Sequence, residues 1–362
     1  RKDHPLLANR FRQAAKGLQQ VSLVHVADDE LLIKLKNKLI VSPSALPAAL
    51  AAIVAALADV KEQPRPDDLS SVAINDQARA IAASVGSGRA VGIFLGGTAE
   101  QHPEAARLHG LALEISRLSG GKLGFLGTAA NAVGGYLAEC FPGVGSGLNA
   151  RTMLESPRKA YVLLNLEPEL DCHDPAGAMS AMKAADCVIA LSPFRTRAME
   201  YAHVLLPVAP YSETSGSFVN LEGRLQSFNA AVKPLGEARP AWKVLRVLAN
   251  QLGLEGFEFD TSEAVRDAAF RGDIASRLGN NIAKVEFSAE PVSGGLERIA
   301  DVPIYFSDSL VRRAESLQQT KDAREPRAIV NAATAGKLNL APGTKVRIRQ
   351  GAGVAQVLLS VD

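Results

Sequence analysis

The sequence predicts an α/β protein: covered, Rossmann-like parallel-sheet subdomains, followed by the start of a small β-domain. Three observations predict it. Short apolar runs such as Ala90–Leu95, Tyr161–Leu166 and Cys187–Leu191 alternate with helix-period stretches, the pattern of parallel strands flanked by helices. A hydrophobic content of 47% over 362 residues supplies cores for about two or three domains. The last residues switch to strand-like alternation, in Val346–Arg349 and Gly353–Val361.

The first subdomain is expected over residues 1–85. Val21–Val26 reads as a strand and Leu39–Val41 as another. The Ala-rich run Ala48–Ala58, closed by Asp59, is shorter than the roughly 20 residues a membrane span needs, so a buried helix and no membrane insertion are expected. Lys61–Ser71 is charged and Pro-rich and marks a surface connection.

The second subdomain, residues 86–255, carries the clearest series. Strand Ala90–Leu95 ends in Gly96-Gly97-Thr98. The next helix has Pro103 in its first turn, a stripe of Leu108, Leu111, Ile115 and Leu118, and Gly120-Gly121 beyond it. Lys122–Leu126 is the following strand, and Gly127–Ala150 is rich in Gly and Ala with little periodicity. After strand Tyr161–Leu166, Asp174-Pro175 opens a helix bearing Met179 and Met182. Strand Cys187–Leu191, a crossover at Arg195–Tyr201 and strand His203–Pro207 follow. Then Phe218–Asn220 and Arg224–Phe228 flank the turn Leu221-Glu222-Gly223, with Gly216 and Gly223 able to take positive φ. Pro240 begins a helix with Trp242, Leu245, Leu248 and Leu252 on one stripe, stopped by Gly253.

Residues 256–327 form a connecting region, with a strand expected at Pro303–Phe306 and a helix at Asp308–Leu317. Residues 328–362 begin a small β-domain, with a turn at Pro342-Gly343 and a hairpin around Gln350–Gly353. The arginines here alternate with apolar residues, as on one face of a strand. No repeat of fixed period is visible.

A formal charge of +2 gives no field that argues for nucleic acid. Cys140, Cys172 and Cys187 are isolated, with no C-x-x-C pair, which excludes a disulfide framework and a cluster site made by this segment alone. The chain opens on Arg1 without Met or a signal peptide and stops on a strand-like alternation, so an excised piece of a longer polypeptide is expected.

Chemistry has few places to sit. Gly96-Gly97-Thr98 lies between a strand and a helix, where backbone N–H groups and a helix dipole can bind phosphate. It is neither G-x-G-x-x-G nor a Walker loop, and tight-turn packing is the favoured reading. Gly143–Gly147 has no strand leading into it and is no dinucleotide fingerprint. The strand ends at Asn165–Glu167, Ser192-Pro193 and Pro207 would line a crevice at the carboxyl edge of the sheet, although capping and turns account for the same residues. Cys172-His173 between Asp171 and Asp174 invites a metal, but no second cluster has zinc spacing and Asp174 serves as a helix cap. His102 and His109 share a helix face without a third ligand, and no catalytic triad, G-x-S-x-G or H-E-x-x-H motif exists.

The stretch Pro207–Gln226, with Glu213-Thr214, Gly216, Phe218, Asn220, Glu222-Gly223-Arg224 and Gln226 in fixed spacing, resembles the molybdopterin oxidoreductases. Together with Arg1–Pro5 and Glu297–Tyr305 it is similar to one family among them, the large peripheral-arm subunit of the NADH-quinone oxidoreductases (bacterial respiratory complex I). The resemblance implies two α/β domains and a β-barrel that, in the molybdenum enzymes, grip a molybdopterin dinucleotide; residues 328–362 would be a partial β-barrel-like domain of that kind. In the complex I relatives it implies the same scaffold without that cofactor. Their 2Fe-2S and 4Fe-4S clusters would lie in cysteine-rich N-terminal domains outside this chain. The expectation is therefore a structural scaffold with no catalytic residue, metal ligand or cofactor of its own. Gly96, Gly97, Thr98, Glu167, Ser192 and Thr214 would mark a vestigial cleft. Its partners would be other peripheral-arm subunits of complex I, with no nucleic acid, in the cytoplasm and peripheral to the inner membrane through the complex. The alternative is a formate-dehydrogenase-like, molybdopterin-dependent fragment that still binds its cofactor, in a pocket lined by Gly96, Thr98, Glu167, Ser192 and Thr214. A free nucleotide-binding module, resting on Gly96-Gly97-Thr98 alone, is the third reading.

Overall fold

Proline at the first helical position opens helix α1 (Pro5–Ala14) in the computed structural model. The structure describes residues 3–142, 147–283, 286–287, 294–300, 302–323, 325–351 and 353–362. Arg1 and Lys2, most of the Gly143–Gly147 loop, Asp301 and Ala352 of the C-terminal hairpin turn lie outside the described residues. The chain divides into two compact units, Arg1–Asp301 and Val302–Asp362.

In the first unit, β1 (Ser22–His25) and β2 (Asn37–Ile40) pair in parallel, Val24 opposite Leu39. Helix α2 (Leu46–Val60) buries eleven of its fifteen residues. Its alanines allow close approach of α3 (Asp76–Gly86), whose N-cap Asn75 accepts the Ala78 N–H at 2.8 Å. With the turn before it, the helical run Pro43–Val60 reaches 18 residues, long and apolar enough by composition to cross a membrane. It is 61% buried inside the protein, the position of a core helix.

β3 (Gly92–Gly96) leads into the single turn α4 (Gly97–Glu100) and then α5 (Ala105–Ser119). The predicted stripe Leu108, Leu111, Ile115 and Leu118 is buried in the same core as α2, and Gly120 ends α5 in the left-handed conformation (φ 67°). Pro103 falls in the turn before α5, not inside it. β4 (Lys122–Leu126) pairs in parallel with β3, Gly96 opposite Leu126.

After α6 (Ala132–Leu137) and α7 (Ala150–Glu155), β5 (Ala160–Leu164), α8 (Pro168–Asp171), α9 (Pro175–Ala184), β6 (Cys187–Ser192) and β7 (Val204–Pro207) build a second parallel sheet in the order β5-β6-β7. Asp174 caps α9 through the Gly177 N–H, as its sequence position predicts. Tyr161, Leu163, Val188 and Ala190 pack on Ala181 and Met182 of α9. The opposite face is partly open: Val162, Ile189 and Val204 form one transverse row, and Val162 and Val204 remain 52% and 42% exposed. The α/β class with parallel sheets is as predicted; on this sheet the helical cover lies on one face.

β8 (Gly216–Val219) and β9 (Leu225–Phe228) form the antiparallel hairpin. Gly223 takes the positive φ of its turn (79°). Gly216 does not; it sits in the strand under the Phe228 ring, where an added Cβ would come within 2.6 Å of Cζ. Helices α10 (Ala241–Gln251), α11 (Ser262–Ala269) and α12 (Ile274–Arg277) complete the described elements of this unit.

In the second unit, the expected strand at Pro303–Phe306 is a 3-10 turn over Ile304–Phe306. The expected helix at Asp308–Leu317 is split into the 3-10 turn Val311–Arg313 and the short α13 (Glu315–Gln318), because Ala314 is extended between them. β10 (Arg327–Val330), α14 (Ala332–Lys337), β11 (Lys345–Gln350) and β12 (Gly353–Val361) follow, with β10 parallel and β11 antiparallel to the central β12. This is an open three-stranded sheet rather than a closed barrel.

Candidate functional site

The carboxyl ends of parallel strands are where an open α/β fold presents loops and helix starts to a ligand. At the end of β3, Gly96 is extended (φ −103°, ψ 178°) and precedes α4 with no side chain to cap it. A Cβ at Gly97 would sit 3.3 Å from Cγ2 of Thr128, so the β3 and β4 loops approach closely enough that a larger residue there would push on the Thr128 methyl. A Cβ at Gly127 would meet Cδ2 of Leu221 at 3.5 Å and Oε2 of Glu100 at 3.8 Å. The Asn131 side chain accepts the Val219 N–H at 2.8 Å. The β8–β9 hairpin thus rests on the loop that follows β4, with Leu221 of its turn against Gly127. Burial raises the pKa of the Glu100 carboxyl, and nearby His4 opposes that shift.

Glu167 and Ser192 lie at the carboxyl ends of the neighbouring strands β5 and β6. Asn165 takes a left-handed φ of 51° and donates its N–H to the Leu191 carbonyl, extending the pairing before the chain turns into α8. Glu167 is 3% exposed; its N–H donates to Asp171 Oδ2 at 2.7 Å and its carbonyl accepts from Leu170 and Asp171. Ser192 Oγ accepts the Phe194 N–H at 3.1 Å, a local turn bond. The Tyr201 hydroxyl donates to Glu169 at 3.2 Å, and burial, then the charges of Glu169 and Glu167, push its pKa above the usual phenol range.

The Asp171–Asp174 segment is committed to local structure, since Asp171 binds the Glu167 N–H and Asp174 caps α9. Burial, then the surrounding Asp171, Glu169 and Asp174, push the Cys172 thiol up, away from the thiolate a metal ligand needs. Among the described residues no three His, Cys, Asp or Glu side chains gather as a metal site. His102 and His109 diverge: Nε2 of His102 pairs with the Pro43 carbonyl at 2.9 Å, and Nε2 of His109 with the Asn280 carbonyl at 2.6 Å.

Thr214 lies in a third place. It lines a cleft of about 560 Å³ with Lys233, Arg239, Trp242, Lys243 and Thr261. None of the other five sequence candidates lines this cleft. In the sequence Trp242 falls on a helix stripe, whereas Lys233, Lys243 and Thr261 belong to no motif; their one local sign is a pair of lysines beside prolines and a tryptophan. The six candidates therefore fall in three places: the end of β3, the ends of β5 and β6 on a separate sheet, and the foot of the hairpin.

Comparison with known proteins agrees with this framework. A model of the family described as molybdopterin oxidoreductase matches residues 2–251, well over half of the chain. A Staphylococcus aureus (strain bovine RF122 / ET3-1) protein named "Putative formate dehydrogenase" is 38% identical over 76 residues, 21% of this chain and 8% of the relative. A protein of the same name from Staphylococcus haemolyticus (strain JCSC1435) is 36% identical over 76 residues, with the same shares. These alignments cover less than a tenth of the relatives' length. Among solved structures, acetylene hydratase from Pelobacter acetylenicus superposes with a TM-score of 0.63 at 14% identity, over 95% of this chain and 65% of that one. At that identity the likeness is one of fold. The match over residues 2–251, on parallel strands joined by helices and a hairpin seated at their carboxyl edge, shows that the chain belongs to the molybdopterin oxidoreductase family.

Proposed function

We propose that this chain is the α/β scaffold of the large peripheral-arm subunit of an NADH-quinone oxidoreductase, without a redox centre among its own residues. The observation that carries this reading is the seating of side chains at the β3–β4 carboxyl edge: Thr128 against Gly97, Leu221 against Gly127, and Asn131 bonded to Val219. The donor set does not fit a bound molybdenum centre. Burial and the neighbouring carboxylates raise the pKa of the Cys172 thiol, Ser192 and Asp171 are engaged in turns, and Glu167 is buried at the start of α8. On this reading the 2Fe-2S and 4Fe-4S clusters belong to other parts of the parent assembly, and the chain works in the cytoplasm against other peripheral-arm subunits. The test is the molybdenum, iron and pterin content of the purified chain, by elemental analysis and by fluorescence after oxidation, with co-elution of peripheral-arm subunits as the positive readout. Absence of stoichiometric molybdenum and pterin together with co-elution is the expected result; a stoichiometric pterin overturns it.

A second reading is favoured by the relatives' printed names and by the cleft beside Thr214: a formate-dehydrogenase-like enzyme fragment that keeps its molybdopterin. It requires cofactor in the purified chain and formate-dependent reduction of a dye.

A further inference from the structure

The strand register of the second unit collects four of its basic side chains on one face. Residues directly opposite in a sheet share a face, and alternate residues along a strand share it too. Arg327 on β10 and Lys345 on β11 both stand opposite Leu358 of the central β12, Arg347 opposite Gln356, and Arg349 opposite Val354. One face therefore carries Arg327, Lys345, Arg347 and Arg349, all exposed, and no carboxylate stands among these paired positions. No ion pair engages these four among the described residues. The second unit holds nine Lys and Arg against five Asp and Glu, a net of +4 where the whole chain carries +2. Its positive charge is thus local, and four of its nine basic residues share one strand face.

Apolar side chains lie within this basic array. Leu358, 45% exposed, sits between Arg327 and Lys345; Val354 and Ile329 are 54% and 63% exposed on the same face. From this face we propose a docking surface for a partner protein that presents carboxylates around an apolar centre. Charge complementarity selects an acidic partner, and arginine beside exposed aliphatics is the composition of a protein interface. A nucleic acid fits less well, because Leu358 interrupts the cationic track and the face has no aromatic ring for base stacking. A bilayer fits less well, because Val354 and Leu358 stand no taller than the arginines beside them and cannot reach below the headgroups. Edge protection alone explains charges on β10 and β11, but it does not require all four on one face around exposed aliphatics. The proposal is independent of the reading of the parent assembly.

The test uses the whole chain and a synthetic helical peptide displaying Glu and Leu on one face, with an all-Glu peptide of equal charge, duplex DNA and phosphatidylserine-containing vesicles as the other probes. The Glu/Leu peptide is expected to bind at least about fivefold more tightly than the all-Glu peptide. Arg347→Gln with Arg349→Gln weakens it about tenfold or more, with a shallower salt dependence. Leu358→Ser, which leaves charge unchanged, weakens it about fivefold, with circular dichroism confirming the fold of each variant. Equal affinity for the two peptides, unchanged affinity in Leu358→Ser, equal or tighter binding of DNA or vesicles, or self-association that the same substitutions abolish would each overturn the proposal.

Discussion

Asn131 ties two distant parts of the chain with one atom: its Oδ1 accepts the N–H of Val219, a residue with no exposed surface, at 2.8 Å. Asn131→Ala leaves that buried donor unpaired and is expected to cost about 1–3 kcal/mol, measured as a lower urea midpoint. Asn131→Asp, which keeps the acceptor, restores most of it. Glu100 gives the second residue-scale test. Burial raises its pKa in the folded state, so the folded state binds more protons than the unfolded state just above the ordinary glutamate range. Its contribution is complete at acid pH and is lost as pH rises from the ordinary value through the raised one. Glu100→Gln therefore gains stability relative to the native chain on going from acid to neutral pH. A difference that stays flat across that window refutes the assignment.

Elements here draw stability from burial more than from intrinsic propensity, and α2 shows it most directly. Leu57 has no exposed surface in the core that α2 shares with α3 and α5, so Leu57→Ala is expected to cost about 2–5 kcal/mol. Leu18, fully exposed, should tolerate the same change within about 0.5 kcal/mol, and equal effects at both sites would contradict the burial pattern. Elements with strong local signals were legible in the sequence: the α5 stripe, the Asp174 cap on α9, the turn at Gly223 and the alternation in β11 and β12. What failed was decided by contacts that local pattern does not encode. An extended Ala314 splits the expected helix at Asp308–Leu317, and Gly216 answers to the Phe228 ring, twelve positions away, rather than to a turn. Of the candidate site, the strand ends were legible because strands have ends. Leu221 against Gly127 was not, since 94 positions separate them, and neither was the cleft assembled from residues 213–263.

At the scale of the whole molecule, the two units differ most in core. Among the described residues of Val302–Asp362, only Ala335 and Leu359 are buried apolar side chains, whereas the first unit carries the α2–α3–α5 core and the cluster beneath β5–β7. Small units bury a smaller fraction of their surface and sit closer to the stability threshold. The second unit is therefore expected to unfold at a lower denaturant concentration than the first, making the transition biphasic. Trp242, the sole tryptophan, lies in the first unit, so its fluorescence reports that unit alone. Amide exchange in β10, β11 and β12 reports the other. Protection in these strands should be lost while Trp242 fluorescence is still native, and Leu359→Ala, removing about 2–5 kcal/mol from so small a core, should unfold the second unit without moving the Trp242 transition. Coincident loss of both signals in the native chain, or a Leu359→Ala variant that shifts Trp242 equally, would show that the two units unfold as one.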